Sequence, residues 1–427
     1  MAPYTGPDRV RLSSWKEIAV HLGRDVRTVL RWHKDRGLPV HRLPGGHGRS
    51  VFAYVDELDA WATGTSRLAE PTEASKPRRR RRPLQWTAVG VAACLLVAVA
   101  SLGRARAPLA TVAVRGNRLV AVDERQHERW SLSFPAGSQL MSTSSKSVLM
   151  SDIDADGRPD ILAAIRLQRP DGSTANPLYS LSDAGAVKWT IEFGDHLGFR
   201  SGEYAPPWFV EDLVVVPHGA ARRVAVAVVH GVWWPSMVVL LDANGRMSRP
   251  FVNSGWITDL NVTRDGKYLL AAGVSNARDA GALAVLDAAA PEGHSPEDPG
   301  SPYECLKCEQ GLPLKYFVLP RSELSLAAGR ALLEQGLDVQ TDGTILLRTP
   351  QNPANGAAEV IYEFAPDLTL RRATFSDVYW DWHRRMEAEG LIHHRADDCP
   401  ERQGIIVQEW TSAHGWQRTV AAFATAR

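Results

Sequence analysis

The segment 84–103 constrains this chain most, because its twenty residues, LQWTAVGVAACLLVAVASLG, carry no charge. At ~1.5 Å per residue a helix of that length spans ~30 Å, the thickness of a bilayer's hydrocarbon core. Lys76 and five consecutive arginines (78–82) precede the segment, whereas only Arg104 and Arg106 follow closely. The positive-inside rule then predicts one span of the inner (cytoplasmic) membrane, with the N-terminus in the cytoplasm and the C-terminal domain outside.

Two other interpretations of this segment remain. A buried core helix can be as apolar, although five arginines rarely precede one. The sequence Ala105-Arg106-Ala107 has the shape of a signal-peptide cleavage site, but about eighty residues precede the apolar segment, and signals begin near the N-terminus. A retained anchor is therefore preferred, with the arginines as a topology signal that can also contact anionic lipid headgroups.

Charge divides the chain at the same place. Residues 1–83 contain 17 Lys and Arg against nine Asp and Glu, and residues 104–427 contain 32 against 39. This division excludes a uniformly basic nucleic-acid binder and a simple soluble enzyme. The predicted domains are 1–64, a basic flexible linker 65–83, the transmembrane helix 84–103 and an extracytoplasmic domain 104–427.

The first 64 residues contain the signals of two short helices. Ser14 and Glu17 form a capping box, and an apolar face follows at helical spacing: Trp15, Ile18, Ala19 and Leu22. Gly23 suits the end of this helix, and Asp25 can cap a second one with apolar Val26, Val29 and Leu30. Strands at 40–42 and 51–54 enclose a glycine-rich loop, 44–50, and Asp56 caps a further helix.

These elements, over residues 12–62, resemble the winged helix-turn-helix of MerR and excisionase-type proteins. The resemblance implies a second helix in the major groove of DNA and a wing on the adjacent backbone. We expect Arg27, Thr28 and Arg31 to reach base edges. The other predicted contacts, to phosphates or from the wing, are Arg24, Lys34, Arg42, His47 and Arg49. The family more often has Trp-Glu where this chain has Trp32-His33, and a small basic domain can also bind a protein.

The C-terminal domain carries strand signals that recur at irregular intervals. Apolar strands end in acidic turns near residues 119–124, 178–185, 239–245 and 283–287, and two of them run on to a Trp-containing strand. Repeats of this length suggest propeller blades. The pattern Leu-Asp-x-x-Gly…Trp resembles the repeats of PQQ-like propellers, and it does not indicate that the quinone is bound.

One loop of this domain, 152–160, has the pattern D-x-D-x-D-G-x-x-D between two apolar strands. Carboxylates at alternate positions of a tight loop can converge on a hard cation. The context resembles the FG-GAP repeat of integrin α-chain propellers, which implies a structural Ca²⁺ held by the side chains of Asp152, Asp154, Asp156 and Asp160 and the carbonyl of Arg158. The alternative is an Asp-rich turn without metal.

Cysteines and aromatic residues give weaker signals. A local Cys305–Cys308 disulfide is preferred over zinc, and Cys399 stands apart. The aromatic clusters at 379–383 and 410–416 can line a ligand site but are more typical of core packing. The sequence has no nucleophile elbow, phosphate loop or HExxH motif, so it does not predict an enzyme.

The predicted fold class is therefore multi-domain: a small α+β winged helix-turn-helix, a single transmembrane helix and an all-β propeller-like outer domain. The predicted function is a membrane-anchored one-component transcription regulator that binds double-stranded DNA inside and senses a ligand or partner outside. Signalling through one helix favours a homodimer. The alternatives are an adhesion or scaffold protein whose outer propeller binds proteins or glycans, and an outer hydrolase or lyase.

Overall fold

A computed structural model shows two compact units, Met1–Gly103 and Arg104–Arg427. It describes residues 11–12, 15–22, 28–29, 32–33, 38–42, 51–62, 108–140, 148–169, 174–219, 221–232, 234–329, 336–352 and 356–421.

The first unit is organised around one central strand. Its elements are β1 (Arg11–Leu12), α1 (Trp15–His21), β2 (His41–Arg42), β3 (Val51–Tyr54) and α2 (Val55–Ala62). Strand β3 pairs antiparallel with β1 on one side and with β2 on the other. Its small core contains the apolar faces of both helices, and the buried residues are Ile18, Ala19, Val29, Leu38, Ala53 and Leu58.

The fold class predicted from the sequence is wrong. Strands make up 48% of the described residues, about twice the usual share, and the helices are four in number and short. No winged helix-turn-helix module and no transmembrane helix are present in the described part of the chain. The sequence analysis predicted that a pair of helices would organise the first unit. Here α1 ends after seven residues, and pairing of the β-branched and aromatic strand β3 on both edges organises the unit instead.

No helix among the described residues is long and apolar enough to cross a membrane. The segment 84–103, to which that prediction applied, lies outside the described residues, as do the predicted linker 65–83 and the wing loop 44–50.

The second unit is almost entirely β. Its strands are β4 (Leu109–Arg115), β5 (Arg118–Asp123), β6 (Glu128–Ser133), β7 (Gln139–Leu140), β8 (Val148–Ser151), β9 (Asp160–Gln168), β10 (Thr174–Ala175), β11 (Leu178–Leu181), β12 (Val187–Ile191), β13 (Leu197–Phe199), β14 (Gly202–Tyr204), β15 (Trp208–His218), β16 (Ala221–His230), β17 (Ser236–Leu241), β18 (Phe251–Asn253), β19 (Ile257–Val262), β20 (Tyr268–Ser275), β21 (Ala280–Asp287), β22 (Gly293–His294), β23 (Lys315–Leu319), β24 (Gly336–Val339), β25 (Ile345–Pro350), β26 (Glu359–Phe364), β27 (Leu370–Phe375), β28 (Ile405–Thr411) and β29 (Gly415–Ala421). Its α-helices are α3 (Glu323–Ala327) and α4 (Asp377–Ala388), and 3-10 turns cover Asn276–Arg278, Ala396–Asp398 and Pro400–Gln403.

Most of these strands pair with strands that are close to them in sequence. Strands β15 to β18 pair in order, β24 to β27 do the same, and β19, β20, β21 and β23 continue into β28 and β29. Strands β8, β9, β11 and β12 form a further sheet, and β4 to β6 a three-stranded one. Antiparallel meanders of about four strands are the units of β-propellers, so the unit is propeller-like and all-β.

A tryptophan on one sheet contacts a glycine turn that joins two strands of the next sheet. The Trp130 indole donates to the carbonyl of Asp183 at 2.9 Å, and a Cβ at Gly185 would lie 2.6 Å from the Trp130 ring. The Trp189 indole likewise donates to the Ala243 carbonyl at 2.9 Å and lies against Gly245. The repeated Gly and Trp positions of the sequence are therefore contacts between consecutive sheets.

The two helices of this unit cover the sheet β24–β27. Their buried residues pack with the large side chains of that sheet in one core, which includes Leu324, Tyr362, Phe364, Tyr379, Met386 and Ile392. Ser322 and Ser376 cap α3 and α4 by accepting from the backbone N–H of Ser325 and Tyr379. This packing fixes the side chains that project from α3, α4 and the segment after α4.

Candidate functional site

The acidic loop between β8 and β9 folds as a compact turn. Both carboxylate oxygens of Asp152 accept backbone N–H groups, from Asp156 and Gly157, at 3.1 Å each. Gly157 has φ +83°, the left-handed conformation that glycine tolerates best. Ligand oxygens of Asp152, Asp154 and Asp156 lie within 4.8 Å of one another. The loop therefore brings together three of the predicted calcium ligands.

A lysine provides a positive charge at this loop. The Lys188 ammonium, on β12, donates to Asp154 and to buried Asp160 at 2.7 Å each. Burial opposes the charge on Lys188, but its hydrogen bonds to the two aspartates prevail and raise its pKa. The same lysine lowers the pKa of Asp154. Arg158 is exposed, and its N–H donates to Asp156 at 2.8 Å. The sequence did not predict this lysine, because it lies 28 residues beyond the loop.

Most of the predicted DNA contacts fall outside the described residues. These are Arg24, Arg27, Arg31, Lys34, His47 and Arg49. Thr28 is helical and half-buried, and Arg42 lies in β2 opposite Val51. The predicted DNA surface thus stays a prediction.

The cysteines and the 379–383 cluster have defined positions. Cys305 and Cys308 form a disulfide with a Cα–Cα distance of 5.8 Å, as predicted. The 379–383 cluster lies on α4, where Tyr379 and His383 are fully buried and Tyr379 packs in the core. Cys399 is buried and is the only free cysteine among the described residues.

A second group of potential ligands surrounds Cys399. Glu323 begins α3, His383 projects from the middle of α4, and His394 and Cys399 follow in the segment after that helix. One ligand atom of each lies within 4.8 Å of the others. His383 is 0% exposed and Cys399 is 2% exposed, whereas the side chains of Glu323 and His394 are 35% and 30% exposed.

One carboxylate oxygen of Glu323 lies close to a ligand atom of each of the other three residues. The Oε2 atom of Glu323 lies 3.1 Å from His394 Nε2, 3.6 Å from Cys399 Sγ and 3.8 Å from His383 Nε2. Burial lowers the pKa of His383 and raises the pKa of the Cys399 thiol to about 12. Neither ring nitrogen of His383 has a hydrogen-bond partner, and the 3.1 Å contact of His394 Nε2 with Glu323 lacks hydrogen-bond geometry.

Sequence reasoning missed this group. The sequence does contain the spacing His383-x10-His394-x4-Cys399, which could have indicated three of the ligands. The fourth, Glu323, lies 60 residues before His383 on another helix. Only the packing of α3 against α4 brings the four side chains together. The aromatic residues around His383 also favoured a core interpretation of that stretch.

Comparisons with known proteins give remote structural similarities. No protein-family model and no curated protein matches the chain. A protein of unknown function from Bacteroides caccae matches 73% of this chain and 88% of its own, at 9% identity and TM-score 0.32. The Dos1 propeller matches 63% of this chain and 59% of its own, at 9% identity and TM-score 0.37. The β-propeller domain of the Trilobed protease from Pyrococcus furiosus matches 52% and 56%, at 12% identity and TM-score 0.27. Similarities this remote carry no argument about function.

Proposed function

We propose that the chain is a two-unit regulatory protein in which the first unit binds double-stranded DNA and the second binds a ligand or partner. The observation that supports the proposal is that the boundary between the two compact units also separates a basic part of the chain from an acidic part. The compact unit Met1–Gly103 has 17 Lys and Arg against nine acidic residues, and the unit Arg104–Arg427 has a net negative charge. A basic unit attached to an acidic one attracts phosphate backbones locally, without making the whole chain polycationic.

The proposed contacts depend on charge and side-chain chemistry and do not require a winged helix-turn-helix. Arginines such as Arg27 and Arg31 can pair with guanine edges, and the remaining basic residues can neutralise phosphates. The resemblance to MerR-type regulators rests on the sequence motif at residues 12–62 alone.

DNA binding by the full chain is expected to weaken steeply with salt, because each neutralised phosphate releases counterions. Replacing both Arg27 and Arg31 by alanine should lower the affinity at least about tenfold, since one good base contact contributes about 1–3 kcal/mol. Replacing the exposed Arg115 and Arg125 by alanine removes the same two charges from the second unit; this variant is the control and should bind like the natural chain. A gel-shift titration at several salt concentrations measures both effects, and salt-insensitive or absent binding would reject the proposal.

We also propose that the acidic loop binds calcium in a structural role, in competition with Lys188. Three aspartates converge there, and a cation that binds only the folded chain stabilises it. Calcium must displace the ammonium from Asp154, so we expect weak binding by the natural chain.

Lys188→Met is expected to lower the free energy of unfolding by about 1–2 kcal/mol without calcium, because buried Asp160 loses its charged partner. The same change should tighten calcium binding, and saturating calcium should restore the lost stability. Thermal unfolding with and without calcium tests this. Lys267→Met, which removes an exposed lysine 3.5 Å from Asp265, is the control and should change neither property. If calcium stabilises neither the natural chain nor Lys188→Met, the loop is an Asp-rich turn.

Three further expectations stay predictions. They are the location at the inner membrane, which depends on segment 84–103, the homodimer, and the lack of an enzymatic activity. Fractionation of cells followed by detection of the full chain tests the first, since a protein recovered in the soluble fraction would contradict it.

A further inference from the structure

We propose that Glu323, His383, His394 and Cys399 form a zinc site in the second unit. The residue types suit this ion, because zinc in proteins takes thiolate sulfur, imidazole nitrogen and carboxylate oxygen as ligands, usually four of them in a tetrahedron. The assignment is independent of DNA binding and of calcium at the acidic loop.

The spacing of the four ligand atoms fits a tetrahedral ion. Zinc bonds of about 2.0–2.3 Å place neighbouring ligand atoms about 3.3–3.6 Å apart along the edges of the tetrahedron. The three measured edges from Glu323 Oε2 are 3.1, 3.6 and 3.8 Å. All four atoms lie within 4.8 Å of one another, so small rotations of the side chains complete the polyhedron.

An orphaned histidine is the second, independent observation. His383 is 0% exposed, and both of its ring nitrogens lack a hydrogen-bond partner. Burying a polar nitrogen without a partner costs about 1–3 kcal/mol, so such groups are rare in native folds. Nε2 of this ring lies 3.8 Å from the Glu323 carboxylate, and Nε2 of His394 lies 3.1 Å from the same carboxylate without hydrogen-bond geometry. A cation between the two rings satisfies both Nε2 atoms, whereas Nδ1 of His383 stays without a partner.

The surroundings support the ligands. Glu401 accepts the backbone N–H of Glu323 at 2.7 Å with one oxygen and the Tyr379 hydroxyl with the other. It thereby fixes the start of α3, which holds Glu323, against the helix that holds His383. Such outer partners orient the ligands of metal sites.

Exposure indicates how the ion enters. His383 and Cys399 form a buried floor, and the half-buried Glu323 and His394 side chains border solvent. Three ligands come from residues 383–399 and the fourth from α3, so zinc ties the segment after α4 to the helix beside it. The ion therefore has access from one side and a structural effect on this segment.

The test uses the full chain, stripped with a chelator and reloaded with zinc or with cobalt as a spectroscopic probe. We expect one zinc per chain by elemental mass spectrometry, and with cobalt a thiolate charge-transfer band and the intense visible bands of a tetrahedral ion. Cys399→Ser should abolish the charge-transfer band, whereas Cys94→Ser should keep it. Zinc well below one per chain, or a thiolate band that survives in Cys399→Ser, overturns the assignment.

Variants of the two half-buried ligands distinguish loss of zinc binding from loss of folding, because replacing a partly exposed side chain disturbs the core less. Glu323→Gln and His394→Gln replace half-buried ligands, and each should weaken zinc binding more than about 100-fold, beyond the effect of losing an outer partner. His393→Gln changes the exposed neighbouring histidine and should bind like the natural chain. Asp154→Asn tests the acidic loop as the zinc site and should retain the ion. Equal weakening by His393→Gln, or loss of zinc in Asp154→Asn, contradicts the proposal.

Discussion

Replacing Gly273 by alanine is expected to lower the free energy of unfolding of the second unit by at least about 3 kcal/mol, the upper range for overpacking a core. Gly273 lies in β20 and pairs with Ile257 of β19, next to a register shift between Ile257 and Asp259. A Cβ there would lie 2.0 Å from the Trp256 carbonyl oxygen and 2.7 Å from the Ile257 Cα atom. Both are backbone atoms, so no side-chain rotation relieves the overlap, and the two strands must separate.

The matched control for this change is Gly194→Ala. Gly194 is exposed, and a Cβ at this position meets no atom within 4 Å. We expect its effect to stay within about 0.5 kcal/mol, as for other surface substitutions. Urea unfolding followed by tryptophan fluorescence compares the three chains. Equal stability of Gly273→Ala and the natural chain would contradict the close approach of β19 and β20 at this glycine.

Local sequence patterns predicted individual elements better than their assembly. The strands around Val120, Leu181, Leu241 and Leu286 were recognised because apolar runs ended in turn residues, and they appear as β5, β11, β17 and β21. Of the first predicted apolar face, Trp15, Ile18 and Ala19 also lie in a helix, where Ile18 and Ala19 are buried. Local patterns did not show that strand β3, and not a helix pair, is the central element of the first unit. The predicted fold class was wrong for this reason.

Pairing between distant strands explains the rest of what the sequence did not predict. After residue 290 the repeat is no longer recognisable, yet β24 to β27 form a four-stranded sheet. The strand β23 pairs with β28, about 90 residues later, and no periodic signal indicates such a partner. The group around Cys399 is hidden for the same reason, because Glu323 and His383 are neighbours only after α3 has packed on α4. The acidic loop 152–160, by contrast, is contiguous, and the convergence of Asp152, Asp154 and Asp156 was predictable from spacing alone.

Contacts between consecutive sheets yield the second large prediction. Gly185→Ala is expected to lower the free energy of unfolding by about 2–4 kcal/mol, the sum of backbone strain and overpacking. Gly185 has φ +79°, and a Cβ there would lie 2.6 Å from the Trp130 ring that packs on this turn. Gly116→Ala is the matched control for strain, because its φ is +62° and no atom lies within 4 Å of its Cβ position. It should therefore lose only about 1–2 kcal/mol.

A double-mutant cycle separates the contact from the strain. Trp130→Ala alone removes the ring and its hydrogen bond to Asp183, and should itself destabilise the unit by about 2–4 kcal/mol. In that background no ring remains for the new methyl to meet, so Gly185→Ala should cost about 1–2 kcal/mol, like Gly116→Ala. Chemical unfolding of the four chains measures the coupling between the two residues. Strictly additive effects would mean that Trp130 does not pack on this glycine. Strong coupling would support the same role for Trp189 and Gly245, since that pair repeats the contact one sheet further along the chain.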